Sequence, residues 1–564
     1  MRWHRSIGLA AVGMLLAATA QAQTQQTPQL SSARIHELVE QAAALVATQQ
    51  PGTAPNATAG LPPDTRPTTS LTLDDAVKLA LDRNLSIAVQ KLNPAIQDVS
   101  VSRIRSVYYP ALTSTLATQS TTTPASTALA GSGQAGTPVV SGLSTYNAGI
   151  AQSVPWGGGS YTVGLNNNKS TTSSLNALYN PTFNTNWSGV YTQPLARNFG
   201  TDLTRQQIQV TKINRDMSDV QLRATITNTV SNVREAYWNY VYAIQAVGVA
   251  QQSVNLADQL VKDNQTRVDV GTMAPIDVVT AQSQSAAAKQ NLVLAIGTMR
   301  TNELVLKQLI VGGTDDPNWG AHLDAIDRPD FAPQPIDIEA AVRRALSERT
   351  DLLLATMTNK ENDVTLKYLK DQLKPQADFV GTYGLVGIGG TEYIKSPTAG
   401  VNAPPIGFVP GGFSDALSTL FHTNYPRWTA QINLSYPLGT SFQEASVARA
   451  RIQVNQTQAQ VKQIQLQVAT DVTNAAVSVQ SNSERVQAAI AARELAQKTM
   501  EAEQSKFEVG MSTSYNVVLT QRDLATAQIN ELQAILNYRI ALVELERLQQ
   551  TTLATANITV LSAQ

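Results

Sequence analysis

From Leu71 onward the chain repeats itself, and this duplication limits its fold more than any other feature. Leu73-Asp74-Asp75-Ala76-Val77 and Ala80-Leu81 stand 265 residues before Ile338-Glu339-Ala340-Ala341-Val342 and Ala345-Leu346, and at that offset Pro110 falls on Pro375. Pro194-Leu195 returns as Pro437-Leu438 at an offset of 243, and Gly271 to Gln282 returns as Gly510 to Gln521 at 239. The offset is constant within a segment and changes only between segments, which chance likeness among Ala-rich helices does not produce. Each half reads as a helix, a strand pair and a long helical hairpin, over residues 71–311 and 336–551. A linker rich in Gly, Pro and Asp joins them at 312–335, and a tail follows at 552–564. Pro110, Pro194, Pro375 and Pro437 mark junctions between strand and helix. The first half carries 22 extra residues between Pro110 and Pro194, and an insertion of that size is expected in a surface loop.

Glu444 to Phe507 contains neither Pro nor Gly, and as one helix it would run about 95 Å. Thr204 to Val270 is its counterpart, with Gly248 as a weak point. Val447, Val454, Val461, Val468 and Ala475 recur every seven residues, and Ile213, Met217, Val220 and Ala224 alternate spacings of four and three. Such a seam predicts coiled-coil packing. Small and β-branched seam residues, with Gln, Asn, Thr and Ser elsewhere, suit helices packed between two neighbours in a tube.

The first 22 residues set the compartment. Arg2 and Arg5 precede an apolar stretch from Ile7 to Ala18, and Ala20-Gln21-Ala22 gives a cleavage site after Ala20 or Ala22. This is the layout of a secretory signal peptide. Residues 23–70 read as an extension with one amphipathic helix over Ala33 to Ala47 and a flexible stretch from Pro51 to Thr69. The sequence has no cysteine, so a disulfide framework and a lipidated cysteine are both excluded. No apolar run after the signal reaches the length of a helical span. A membrane location for this exported chain therefore requires a closed β-barrel.

Arg427 to Tyr436 carries the barrel pattern. Trp428, Ala430, Ile432, Leu434 and Tyr436 fall on one face, with Arg427, Thr429, Gln431, Asn433 and Ser435 on the other. An apolar band bounded by aromatic residues, backed by a polar face, is how a strand presents itself to lipid and lumen. Trp187 and Tyr191, then Phe379 and Tyr383, repeat it more weakly. Four strands cannot close a useful channel, so copies must share one barrel. Tyr161, Val163 and Leu165, after the Pro155-to-Gly159 turn, read either as an extracellular hairpin or as an extra barrel pair within 145–169; the loop is the expectation.

The chemistry of a catalyst is not visible. His4, His36, His322 and His422 are scattered, no cluster has metal-ligand spacing, and no phosphate-cradling loop or nucleophile elbow occurs. Asp315-Asp316 and Asp324/Asp327 read as solvated turn residues. No cofactor is expected, and a net charge of −1 gives no reason to expect nucleic acid.

The order of these features resembles the TolC-like outer-membrane efflux protein family over residues 71–551, through Leu71-Thr-Leu-Asp-Asp-Ala-Val, Gln193-Pro194-Leu195 and Gly271…Asp277-Val278-Val279. The resemblance implies a mainly α protein with a membrane β-barrel. It implies a homotrimer in which each copy gives four strands to a twelve-stranded barrel and helices to a periplasmic α-barrel. An adaptor and an inner-membrane transporter would dock at the tip, in the efflux or the type I secretion setting. The tips would be the turns at Gly271, Pro275 and Asp277 and at Gly510, Ser512, Asn516 and Leu519. The family's acidic Asp-Val-Leu-Asp pattern is Asn516-Val517-Val518-Leu519 here, and the positions of Asp277's usual Tyr and Arg partners hold Phe507 and Ser512. A more neutral constriction of Asn516, Leu519 and Phe507 is expected in place of an aspartate ring. Two readings outside the channel class fit less well. A periplasmic coiled-coil adaptor needs an anchor, and a trimeric adhesin places its strands at the C-terminus only.

Overall fold

The computed structural model describes residues 66–124, 137–328, 330–333, 335–398, 403–439 and 441–556. The signal, the helix expected at Ala33 to Ala47 and most of the tail lie outside the described residues. Strand β1 (Thr68–Leu71) leads into helices α1 (Leu73–Arg83) and α2 (Leu85–Arg105). Strands β2 (Ala111–Thr123), β3 (Val139–Ser153), β4 (Ser160–Thr172) and β5 (Tyr179–Pro194) follow. The long helix α3 (Leu203–Asp269) then turns into α4 (Pro275–Ile310), and α5 (Pro317–Gly320) and β6 (His322–Ala325) end the first half. The second half comprises α6 (Ile338–Glu348), α7 (Thr350–Asp371), β7 (Gln376–Ile394), β8 (Gly407–Val409), α8 (Phe413–Phe421), β9 (Pro426–Ser435), α9 (Phe442–Glu508), α10 (Ser514–Leu548) and α11 (Thr552–Thr555).

Two pairs of corresponding helices match in length. α1 and α6 are both 11 residues long, and α3 and α9 are both 67 residues long. Each long helix runs about 100 Å, and Gly248 does not interrupt α3. Their starts are fixed alike. Asp202 accepts from the Arg205 N–H at 2.7 Å, and Ser441 accepts from the Glu444 N–H at 3.2 Å while the Glu444 carboxylate accepts from the Ser441 N–H. Each cap contributes about 1 kcal/mol. The seam residues Val447, Val454, Val468 and Ala475 are buried. In α9, Val468, Val472 and Ala475 pack against Ala341 and Ala345 of α6 and Tyr538 and Ala541 of α10. In the first half, Val230, Val233 and Tyr237 of α3 meet Ala76 and Ala80 of α1 and Leu306 and Ile310 of α4.

The segment expected to be a plain linker is partly built. β6 pairs in parallel with β1, Thr68 opposite His322 and Leu71 opposite Ala325. Beneath this ribbon lies a buried ion pair on α4, with Lys307 Nζ 2.9 Å from Glu303 Oε1. Lys307 also donates to the Trp319 carbonyl at 3.2 Å and to that of Ala321, and Glu303 accepts from the Leu323 N–H at 3.2 Å. Burial by itself would raise the Glu303 carboxyl, yet the hydrogen bonds from Lys307 and Leu323 hold it below its ordinary value.

The strand count differs from the expectation. One seven-stranded antiparallel sheet runs β2-β3-β4-β5-β7, with both β8 and β9 beside β7. Six of its strands are long, not four: the stretch between Pro110 and Pro194, where a surface loop was expected, enters the sheet as strands. A spliced hairpin adds one strand of each direction, so its neighbours keep their antiparallel sense and no polar edge is left inside the sheet.

The register sorts the side chains into two faces. One carries Leu112 and Leu116 of β2, Tyr146 and Ile150 of β3, Tyr161, Val163 and Leu165 of β4, Trp187 and Tyr191 of β5, Phe379 and Tyr383 of β7 and Trp428 and Ile432 of β9. The other carries Asn147, Asn166, Asn168, Asn184, Asn186, Ser188, Thr382, Gln431 and Asn433. Helix α8 packs on the aromatic face over Tyr146 and Phe183. A Cβ on Gly387 would come within 2.0 Å of the Ala416 oxygen, and one on Gly389 within 2.5 Å of the Ala416 nitrogen, so only glycine admits this approach. The Phe413 ring packs 6.0 Å from Tyr146 and 6.2 Å from Phe183.

Candidate functional site

The two helical hairpins end in matching turns. Gly271 has φ 75° and Gly510 φ 78°. In the first, the Thr272 N–H donates to the Arg267 carbonyl at 2.8 Å, and in the second the Met511 N–H donates to the Lys506 carbonyl at 2.8 Å. This pairing closes a helix through a left-handed residue. Nothing lies near a Cβ at either glycine, so the requirement is conformational. Gly510→Val is therefore expected to cost about 1–2 kcal/mol locally, speeding amide exchange in the last turn of α9 and the first of α10. Gly510→Asn, which tolerates the left-handed region, should leave exchange near the parent value. Equal acceleration in both would place the requirement elsewhere.

Pro275 opens α4 and Asp277 sits in its first turn, where a carboxylate suits the helix N-terminus. Asp277 makes no side-chain hydrogen bond or ion pair among the described residues; its carbonyl accepts from Asn264 Nδ2 at 3.3 Å. That amide also donates to Ser514 Oγ at 2.7 Å, tying the first hairpin to the second. Asn264 is fully buried, and sequence reading had not singled it out.

Phe507 is one of the residues expected at the constriction. It is 5% exposed and packs with Leu260, Ala281 and Val517 inside the tip. The Arg267 guanidinium stands 4.1 Å from its ring centroid and donates to its carbonyl at 3.2 Å. An aromatic ring gains more by covering apolar neighbours and receiving a cation than by facing water. This Arg267–Phe507 contact joins the first hairpin to the second at the tip. Asn516 is exposed, and Leu519 half faces a groove with Val279, Thr280, Tyr515 and Arg522. Asn516 Nδ2 donates to Ser512 Oγ at 3.3 Å, and Ser512 donates to Glu503, which also pairs with Lys506 at 3.1 Å. The Ser512 hydroxyl and Lys506 hold the Glu503 carboxyl below its ordinary value.

At the opposite end of α3 and α9, four prolines flank the strands. Pro110 precedes β2, Pro375 precedes β7, Pro194 ends β5 and Pro437 follows β9. A network missed in the sequence ties the segment between β5 and α3 to the end of α7. Asp371 accepts from the Asn198 N–H at 2.8 Å, Arg205 donates to the Asn198 carbonyl at 2.7 Å, and Gln372 donates to Asn198 Oδ1 at 2.6 Å. Of the girdle residues, Trp187 and Tyr383 meet edge to face at 6.2 Å, and Trp428, opposite Tyr383, is 76% exposed. The Tyr191 hydroxyl donates to Gln193, Phe379 pairs with Ile432, and Tyr436 follows the strand and is exposed. No described helix is long and apolar enough to cross a membrane.

Comparison with known proteins bears on this arrangement. The model of the family described as outer membrane efflux protein matches residues 160–312 and 404–549, more than half of the chain. No curated protein sequence matches. Among solved structures, a membrane protein from Pseudomonas aeruginosa is similar at a TM-score of 0.60 and 16% identity, covering 85% of this chain and 93% of its own. The CmeC outer membrane channel of Campylobacter jejuni is similar at 0.59 and 12%, covering 85% of each. The outer membrane protein VceC of Vibrio cholerae is similar at 0.58 and 12%, covering 85% of this chain and 95% of its own. At these identities the likeness establishes the fold. With the family pattern running through both halves of its duplicated length, the chain belongs to the outer membrane efflux protein family.

Proposed function

We propose that the protein is the outer-membrane exit duct of a tripartite efflux system, a passive conduit without catalytic activity. An inner-membrane transporter would drive its substrates through a periplasmic adaptor. The two-faced sheet carries this reading. Every residue of β2 and of β9 is exposed, and these are the two long edge strands. Unpaired strand edges are not tolerated in lipid, so β2 of one copy pairs with β9 of the next and a homotrimer closes the ring. The aromatic face then meets the outer membrane and the amide face lines the bore. The long helices extend into the periplasm as a shared tube, and Asn516 and Leu519 narrow its entrance.

The test is the mass and location of the mature complex. Envelope fractionation followed by light scattering in mild detergent should give a trimer in the outer-membrane fraction. A periplasmic species soluble without detergent would overturn the channel reading in favour of an adaptor-like rod.

A further inference from the structure

We propose that the shared barrel has eighteen strands, not twelve, and that its outlet is wide and nearly uncharged. The inference rests on the channel reading above. Three copies of the six long strands make eighteen.

The spliced hairpin behaves as membrane sheet. β3 and β4 pair without a break from Ser141 opposite Thr172 to Ser153 opposite Ser160, and each is paired along its other side as well. Both obey the two-face rule of their neighbours. Tyr146, Ala148 and Ile150 continue the aromatic face, as do Tyr161, Val163 and Leu165, while Thr145, Asn147, Thr162 and Asn166 continue the amide face. A hairpin in water has no need of that sorting, and a slip of one residue would reverse it.

The foot of the hairpin is fixed as well. Its turn closes through the Val154 N–H to the Gly159 carbonyl at 2.7 Å, with Gly157 and Gly158 both at positive φ. Gln193, at the end of β5, donates to the Gly157 carbonyl at 2.7 Å. A Cβ on Gly158 would come within 2.5 Å of the Asn198 oxygen, so the turn is seated on the junction network. The family match begins at Ser160, so within this hairpin β3 lies outside it and β4 inside it.

The geometry of closure agrees. Followed straight across the sheet from Ala111, the register passes Ala151, Thr162, Val190 and Thr382 and arrives at Thr429, six residues short of Ser435 at the foot of β9. If Ser435 opposes Ala111 of the next copy, the stagger equals one residue per strand around an eighteen-stranded ring. A rise of about 3.3 Å per residue against a spacing of about 4.8 Å then gives a tilt of about 35°, within the range of natural barrels. Diameter grows with strand number, so this bore is about half as wide again as a twelve-stranded one and falls in the porin class. Along the amide face, from Gln376 to Ile388 of β7 and on β2 to β5 and β9, the charged side chains are Asp378 and Arg427. Such an outlet passes bulky solutes without sorting them by charge.

The absence of native cysteine permits a direct test. In outer-membrane vesicles, a water-soluble maleimide should label Asn166→Cys at least tenfold faster than Leu165→Cys. Thr162→Cys against Val163→Cys serves as a second pair should the first fail to assemble. Oxidation of Ala111→Cys/Ser435→Cys, or of Thr113→Cys/Asn433→Cys one step higher, should link copies into a covalent trimer. A trimer in which both residues of each labelling pair react alike would overturn the eighteen-stranded barrel and leave the channel intact. A trimer in which neither edge pair cross-links would overturn closure through β2 and β9. Recovery of no membrane-embedded complex would instead remove the channel reading, and the barrel with it.

Discussion

Ile432→Arg is expected to remove most of the assembled protein from the outer membrane, whereas Gln431→Arg, one residue away, should leave it near the parent level. Ile432 lies on the aromatic face of β9, opposite Phe379 and midway between Trp428 and Tyr436. In the proposed barrel that is the middle of the hydrocarbon layer. An arginine facing lipid at that depth costs about 2–4 kcal/mol per copy, or about 6–12 kcal/mol for a trimer. Gln431 belongs to the amide face opposite Val380, and an arginine there would stay in water. The measurement is the yield of trimer in the outer-membrane fraction, by mass in detergent. Equal yields from the two variants would mean that the faces are wrongly assigned.

The same alternation shows why part of the fold was legible in the sequence and part was not. β9 announces itself because Trp428, Ile432 and Leu434 are large and strictly spaced. The duplicated glycine turn located both helical hairpins, since Pro275 and Ser514 each begin the returning helix. β3 is written in Ser, Gly, Thr and Ala with few bulky residues, and a membrane strand carries little signal per segment. Its place became visible only through its partners on either side. The tip behaves similarly. Phe507 was found, but its partner Arg267 lies on the other repeat, and nothing local links positions so far apart. α8 was missed because nine residues are too few for a periodic pattern, and its packing depends on Gly387 and Gly389 of another element.

Glu303 and Lys307 supply the sharpest case, because two opposite charges four residues apart on a helix ordinarily mark a solvated surface. Here Lys307 is fully buried and Glu303 is 2% exposed, beneath the β1–β6 ribbon. Glu303→Gln should cost about 3–5 kcal/mol, because it leaves a buried ammonium without its counter-charge. It also removes the charge that Arg66 approaches at 3.4 Å. The double change Glu303→Leu with Lys307→Met removes both charges and should recover most of that loss. Thermal melting of the detergent complex reads all three. The pH dependence carries a definite sign. The Glu303 carboxyl is held below its ordinary value, so its contribution is complete above the unfolded carboxylate's value of about 4.3 and disappears as pH falls through the lower, folded value. Below about pH 4 the parent should therefore lose stability more steeply than Glu303→Gln, and the two melting curves should converge. Parallel loss in both proteins would show that this pair does not anchor the ribbon to α4. A double variant no more stable than Glu303→Gln would show that the cost lies in packing and not in the unpaired charge.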